Sequence, residues 1–214
     1  MAAAILALAL LTYERDWGAP PVSDDGAPPP VSPWFAILPA AAILFSAFVC
    51  ENAAEVWSAL HIERTLGGAH GEGGFGPMML GLTMGIGRLS GQFVAERLGE
   101  ARLIVWSSIV GMVGALVIAV APTQAVVLVG VGLLGLGVAV TVPSANSILG
   151  KAVAPEQRGY AISRAWMIGF TGFFLGPSII GFVSELTNLR VGFVFVALVM
   201  ASILPAVRAM SRRG

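Results

Sequence analysis

Charge is what this chain has least of. Lys and Arg number 12 and Asp and Glu 12 among 214 residues, only 11% in all, where soluble domains carry roughly a quarter. The two signs cancel to a net charge of zero, so no basic surface exists for a nucleic-acid backbone. A single cysteine, Cys50, excludes an internal disulfide framework. Two histidines, His61 and His70, stand nine apart with no third ligand in sequence, which predicts no metal centre. The chain also lacks HExxH, GxSxG, a P-loop and a strand-to-helix GxGxxG. No enzyme, no cofactor and no nucleotide-driven pump is expected. What fills the space is 57% hydrophobic residues with 27 glycines and 13 prolines. That mixture suits membrane helices, in which glycine lets backbones approach closely and proline is tolerated.

A bilayer core takes about 20 apolar residues of helix. Runs of that kind fall at 34–60, 77–96, 103–121, 125–149, 161–184 and 191–209, predicting an all-α polytopic bundle of six full spans. Short connections separate them, several marked by Pro or Gly, as in Gly76-Pro77, Ala121-Pro122 and Ala154-Pro155. Residues 1–12 are apolar but too short to cross, and no basic residue precedes them as in a signal peptide. They read as the end of a membrane helix whose beginning is missing. Residues 13–33 are acidic and Pro-rich, the composition of a linker, and 210–214 form a short basic tail.

Basic residues set the orientation. Arg15, Arg97, Arg102, Lys151, Arg158, Arg208, Arg212 and Arg213 fall on the side of the linker, against Arg64 and Arg190 on the other. The positive-inside rule makes the linker and the C-terminus cytoplasmic, as expected in a bacterial inner membrane.

Helices meeting in lipid rely on close contact through small residues. The spacings Gly81-x3-Gly85, Gly87-x3-Gly91, Gly111-x3-Ala115 and Gly172-x3-Gly176 supply such contacts. Gly130, Gly132, Gly135 and Gly137 precede Pro143, so this span should approach a neighbour closely and bend. Gly91-Gln92-Phe93-Val94-Ala95-Glu96 recurs loosely as Gly181-Phe182-Val183-Ser184-Glu185. Each copy closes the second span of a three-span group, on opposite faces of the membrane. A 3+3 inverted repeat is a known transporter construction.

The segment Gly87 to Arg102 resembles the cytoplasmic loop signature of the major facilitator superfamily, an acid-Arg-x-Gly turn between the second and third helices of each half. Glu96, Arg97 and Gly99 match it, while Gln92 and Glu100 stand where a glycine and a basic residue are usual. Gly172-x3-Gly176-Pro177-x3-Gly181 is similar to that family's Gly-Pro eleventh helix, and Glu51 to Ser58 to an acidic-Trp-Ser segment of its seventh. The resemblance covers 34–209. It implies the C-terminal six-helix half of a twelve-span transporter, with a solute cavity between the halves. It further implies that Glu96, Arg97 and Arg102 latch the cytoplasmic side through ion pairs, and that Gly172, Gly176, Pro177 and Gly181 pack helices.

Ionisable residues inside spans are costly, about 2.5–3.5 kcal/mol each at mid-helix on the insertion scale. Glu51 and Glu55 are four apart, hence on one helix face, with Asn52 beside them and Ser58 a turn on. A carboxylate in low dielectric can exchange a proton near neutral pH, so this group is a candidate for proton coupling or cation recognition. The alternative places Glu55 in water at the interface and ties Glu51 to a neighbouring helix. Arg88 lies roughly 13 Å of helix rise from Arg97, too deep to snorkel. It should meet an internal acid, a cavity or an anionic solute, somewhat short of the depth of Glu51. Arg164 is expected to snorkel. Gln92, Ser144, Asn146 and Trp166 are lesser candidates, Asn146 lying near the bend at Pro143. Trp34 and Trp57 read first as interfacial belt residues and second as cavity stackers.

The function these readings predict is secondary, gradient-driven transport of a small solute, coupled to protons. Besides the bilayer and the solute, the expected partner is an N-terminal six-helix half or a second copy. Two alternatives stay open, a homodimerising half-transporter and a non-transporting membrane interaction protein.

Overall fold

The computed structural model describes residues 32–211. The helix end expected at 1–12 and residues 13–31 of the linker lie outside them, as do Arg212 and Arg213 of the tail.

Long apolar runs leave the backbone no partner but itself, and in lipid that makes helices. From Pro33, whose carbonyl accepts the first helical hydrogen bonds, the chain forms α1 (Trp34–Leu60), α2 (Phe75–Leu98), α3 (Glu100–Val120), α4 (Gln124–Ala139), α5 (Thr141–Ala152), α6 (Arg158–Leu186) and α7 (Leu189–Ser211). A π-helical turn, His61–Thr65, prolongs α1. Short 3-10 turns, Glu72–Gly74 and Pro155–Gln157, lead into α2 and α6.

Five stretches are each long and apolar enough to cross a membrane: Trp34–Thr65, Glu100–Val120, Gln124–Ala152, Pro155–Leu186 and Leu189–Met210. The sixth expected span is helical over 24 residues, yet by composition it falls short of the others. Its glycines, with Thr83, Arg88, Ser90 and Gln92, dilute its apolar character. Large apolar side chains stand on the outside of the bundle, with Leu89, Phe93 and Phe174 at least 70% exposed. Such a surface belongs in lipid or against another apolar surface rather than in water.

The bend foreseen at Pro143 occurs three residues earlier. The helix stops at Ala139 and restarts at Thr141. Pro143 is then the third residue of a new helix, where a missing N–H costs nothing because the first turn has no internal acceptor for it. The Thr141 hydroxyl donates back to the Gly137 carbonyl at 2.8 Å across the break. Between α2 and α3 the connection is Gly99 alone, at φ +80°. That backbone region favours glycine, and it makes the sharp turn that the acid-Arg-x-Gly signature implies.

The dominant pairings are α1 on α6, α3 on α4, α3 on α7, α2 on α4 and α1 on α7. Exchanging the group α1–α3 with the group α4–α7, the broken span standing for α1, turns α1–α6 into α2–α4. It likewise turns α3–α4 into α1–α7. The packing therefore obeys the 3+3 relation.

Glycines sit where these pairs touch. A Cβ on Gly169 would lie 2.5 Å from the Leu44 Cβ, one on Gly172 2.5 Å from the Phe45 carbonyl oxygen, and one on Gly176 3.1 Å from the Val49 Cα. Across α3 and α4, a Cβ on Gly137 would lie 2.5 Å from the Gly111 Cα, and one on Gly114 2.5 Å from the Leu134 nitrogen. Gly87 meets Ala139 in the same way at 2.7 Å. Between these seams the core closes over Ile37, Leu44, Ile104, Leu134 and Met200, all without exposed surface.

Two expectations need correction. Gly81 and Gly85 pack against nothing, since a Cβ on either would find no atom within 4 Å. They lie on the open face of α2. Trp57 is not a belt residue. It is partly buried against Gly181 across the α1–α6 seam, 3.1 Å from that glycine's would-be Cβ, with its indole N–H buried and unpartnered.

Substitution separates the two kinds of glycine. Gly137→Leu should cost about 1–3 kcal/mol or more through overpacking. Gly81→Ala should be neutral or stabilising, by up to about 1 kcal/mol of helix propensity. Thermal unfolding of the solubilised variants measures both, and equal losses would contradict the packing described.

Candidate functional site

Phe48, Glu51, Asn52 and Glu55 fall within one face of α1 by helical spacing. Opposite them runs the open face of α2, where the absence of side chains at Gly81 and Gly85 leaves room. Glu51, Glu55, Pro77, Gly81, Gly85 and Arg88 surround a cavity of about 310 Å³. Across it an Arg88 guanidinium nitrogen lies 3.9 Å from a Glu51 carboxylate oxygen. The depth difference foreseen between the two is thus bridged by the long arginine side chain. The pair is loose, with the arginine side chain 58% exposed and the glutamate 20%. Glu55 is exposed and forms no ion pair among the described residues. Asn52 is buried, and its Oδ1 has no hydrogen-bond partner.

Arg88 also borders a second cavity of about 290 Å³, with Gln92, Glu100, Pro143, Ser144 and Ser147. Glu100 accepts a hydrogen bond from the Ser147 hydroxyl and pairs with Lys151 at 3.0 Å. The latch that the family resemblance implies is not formed among the described residues. Glu96, Arg97 and Arg102 are exposed and form no ion pair among the described residues. The pairing at this end of the bundle runs through Glu100, the residue that departs from the loop signature. An acidic residue in the first turn of α3, favoured there by the helix dipole, was the available signal.

On the other flank of α1 stands an aromatic wall that hydropathy alone did not single out. The Phe48 ring lies 5.5 Å from Trp166, 5.3 Å from Phe170 and 6.3 Å from Phe173, centroid to centroid. Phe170 and Phe173 stack at 5.7 Å. Trp166, Phe170 and Phe174 recur every four residues, which puts them on one stripe of α6. Two lesser candidates meet here, as the Trp166 indole N–H donates to Asn146 Oδ1 at 3.1 Å. Arg164 is exposed and lies over the Tyr160 ring, 5.1 Å from its centroid.

His61 is wholly buried in the π-helical turn, 5.6 Å from the Phe193 ring. His70 is exposed. Arg190 donates to the Ala119 carbonyl at 3.2 Å, satisfying the end of α3. Ser58, beneath Gly76, is buried away from the cavity.

Two related groups of three helical spans, one of them broken, with five stretches among the described residues apolar enough to cross a membrane and an ionisable pair on one open cavity, define a polytopic all-α membrane fold. Residues 40–212 match the Major Facilitator Superfamily. The chain belongs to that family and is an integral membrane protein. It is 27% identical over 171 residues to an uncharacterized MFS-type transporter of Yersinia pestis, covering 79% of this chain and 44% of the relative. It is 30% identical over 154 residues to the membrane protein MosC of Rhizobium meliloti, covering 71% of this chain and 37% of that protein. The chain thus spans less than half the length of these curated relatives. Its fold is similar to the Escherichia coli fucose:proton symporter FucP, at TM-score 0.68 and 19% identity, over 84% of this chain and 43% of the symporter. It is also similar to a peptide transporter POT crystallised with sulfate, at TM-score 0.71 and 20% identity, over 86% of this chain and 38% of the other.

The looseness of the Glu51–Arg88 pair has an energetic consequence. A double-mutant cycle of Glu51→Gln and Arg88→Gln, read by thermal unfolding of the solubilised chain, should give a coupling of about 0.2–1 kcal/mol, as for exposed pairs. A coupling of 3 kcal/mol or more would mean a closed, desolvated pair and no open cavity.

Proposed function

We propose that this chain supplies the C-terminal half of a secondary transporter, moving a small solute across a bacterial inner membrane with proton coupling through Glu51. The observation that carries this reading is the Glu51–Arg88 contact on an open cavity, with Glu51 inside the apolar stretch Trp34–Thr65. Ionisable residues there are costly and mark ion or substrate pathways. At 3.9 Å the arginine holds the carboxylate weakly enough to be exchanged for a proton or a solute group. Glu51 acts as the proton-exchanging group, with Asn52 and Glu55 beside it. Arg88 is the counter-charge, and Asn146 orients Trp166 by accepting its indole N–H.

The second half of the cavity comes from six further spans or a second copy, since rocking of two halves about a central site is how such folds alternate access. The unpartnered Gly81 and Gly85 and the exposed aromatic stripe of α6 support an open face of this kind. The excess of basic residues puts the C-terminus in the cytoplasm. There Gly99 makes the loop turn, Glu96, Arg97 and Arg102 face the aqueous boundary, and Gly172, Gly176, Pro177 and Gly181 hold α6 to α1.

Glu51→Gln, in the protein as its gene encodes it, should abolish proton-driven uptake into vesicles. Exchange of solute down its own gradient and thermal stability should stay close to the parent. Proton-linked uptake at the parental rate in that variant would remove Glu51 from the coupling role.

A further inference from the structure

The cavity has a chemical bias that the coupling role alone does not use. Its ionisable groups are two carboxylates, Glu51 and Glu55, against one guanidinium, Arg88, leaving it one negative charge in excess. Arg88 leans on Glu51 only, so Glu55 faces the cavity without a cation. One turn from Glu51 on the same face of α1, Phe48 carries the aromatic wall of Trp166 and Phe170. Trp166 and Phe170 are each more than a third exposed, so part of each side chain stays open to a neighbour.

Carboxylate oxygens and π-faces share one property: both attract positive charge. The indole N–H, the donor that would disturb this set, is already held by Asn146.

We propose that the solute taken by this half-cavity is an organic cation with an apolar body. Its positive head lies between Glu55 and Glu51, and its body lies along Trp166 and Phe170. The proposal rests on the transport reading above for its site and names that site's substrate class. Arg88 then has a second task. When the cation enters, it competes with Arg88 for Glu51, and the guanidinium can swing toward the neighbouring cavity that it already borders beside Gln92 and Glu100. Cation entry and release of the Arg88 contact are thus one event.

The test uses a pair of probes alike in size and opposite in sign, tetraphenylphosphonium and tetraphenylborate, titrated by equilibrium dialysis against the purified chain in lipid nanodiscs. Every group invoked belongs to this chain, so the chain alone must discriminate. The phosphonium should bind at least tenfold more tightly than the borate once partition into protein-free nanodiscs is subtracted. Glu55→Gln, at an exposed position that folding does not depend on, should weaken the phosphonium about tenfold, and Phe170→Ala several-fold. Arg88→Gln should strengthen it, because a competitor for Glu51 is gone.

Equal binding of both probes, tighter binding of the borate, no saturable binding of either, or weaker phosphonium binding in Arg88→Gln would each overturn the proposal. Any of these together with loss of proton-driven uptake in Glu51→Gln would leave the transport reading standing and remove the cation alone. The expected selectivity with unaltered uptake in that variant would do the reverse.

Discussion

Close approach of helix backbones is the constraint on which everything else in this bundle rests. Lipid offers helices no hydrophobic reason to associate, since its tails are as apolar as leucine. What remains is contact, and contact at backbone distance requires that one partner have no side chain. Gly169, Gly172 and Gly176 give α6 that property against α1, and Gly111, Gly114, Gly130 and Gly137 give it to α3 and α4. Those two seams fix where α1 stands, and with it the depth and direction of Glu51 and Asn52. Polar groups in the membrane are tolerated because the scaffold that carries them is rigid and made without them.

The same absence of side chains has the opposite effect on α2. Gly87 and Gly91 press on the α4–α5 joint, while Gly81 and Gly85, on the other side of the helix, meet nothing. One helix therefore uses glycine to touch on one face and to open space on the other. The open space is where Arg88 reaches Glu51. A bulkier α2 would close that distance with hydrocarbon and strand the arginine.

Much of the fold was legible because span length and small-residue spacing are local properties. All six expected spans are helical close to where the residues placed them, five of them apolar enough to cross a membrane, and the turn at Gly99 falls where the signature implies. The site was legible in part. Glu51, Asn52, Glu55 and Arg88 stand out because charge and amide are rare in such runs, and the structure brings the two glutamates and the arginine to one cavity. Spacing alone does not say which glycine face meets a partner, so Gly81 and Gly85 were misplaced among the packing residues. Nor does it say that His61 turns inward, since the π-helical turn that buries it leaves no mark in composition. Glu100 was hidden by its departure from the loop signature. The aromatic wall was hidden because phenylalanines in a membrane helix look the same whether they face lipid or one another.

The α1–α6 seam bears on the order of assembly. Leu44 and Phe45 wait for glycines that are made more than a hundred residues later, and the Cys50 thiol meets the Val196 carbonyl across 146 residues of chain. Contacts so distant in sequence form late, because the loop between them must close first. α1 therefore finds its neighbours α6 and α7 late, after most of the described chain has been made. α2 is the next long helix in sequence after α1, and its Arg88 is the charge that Glu51 meets across the cavity. That contact closes over 37 residues of chain, a far shorter loop than the one that the α1–α6 seam must close.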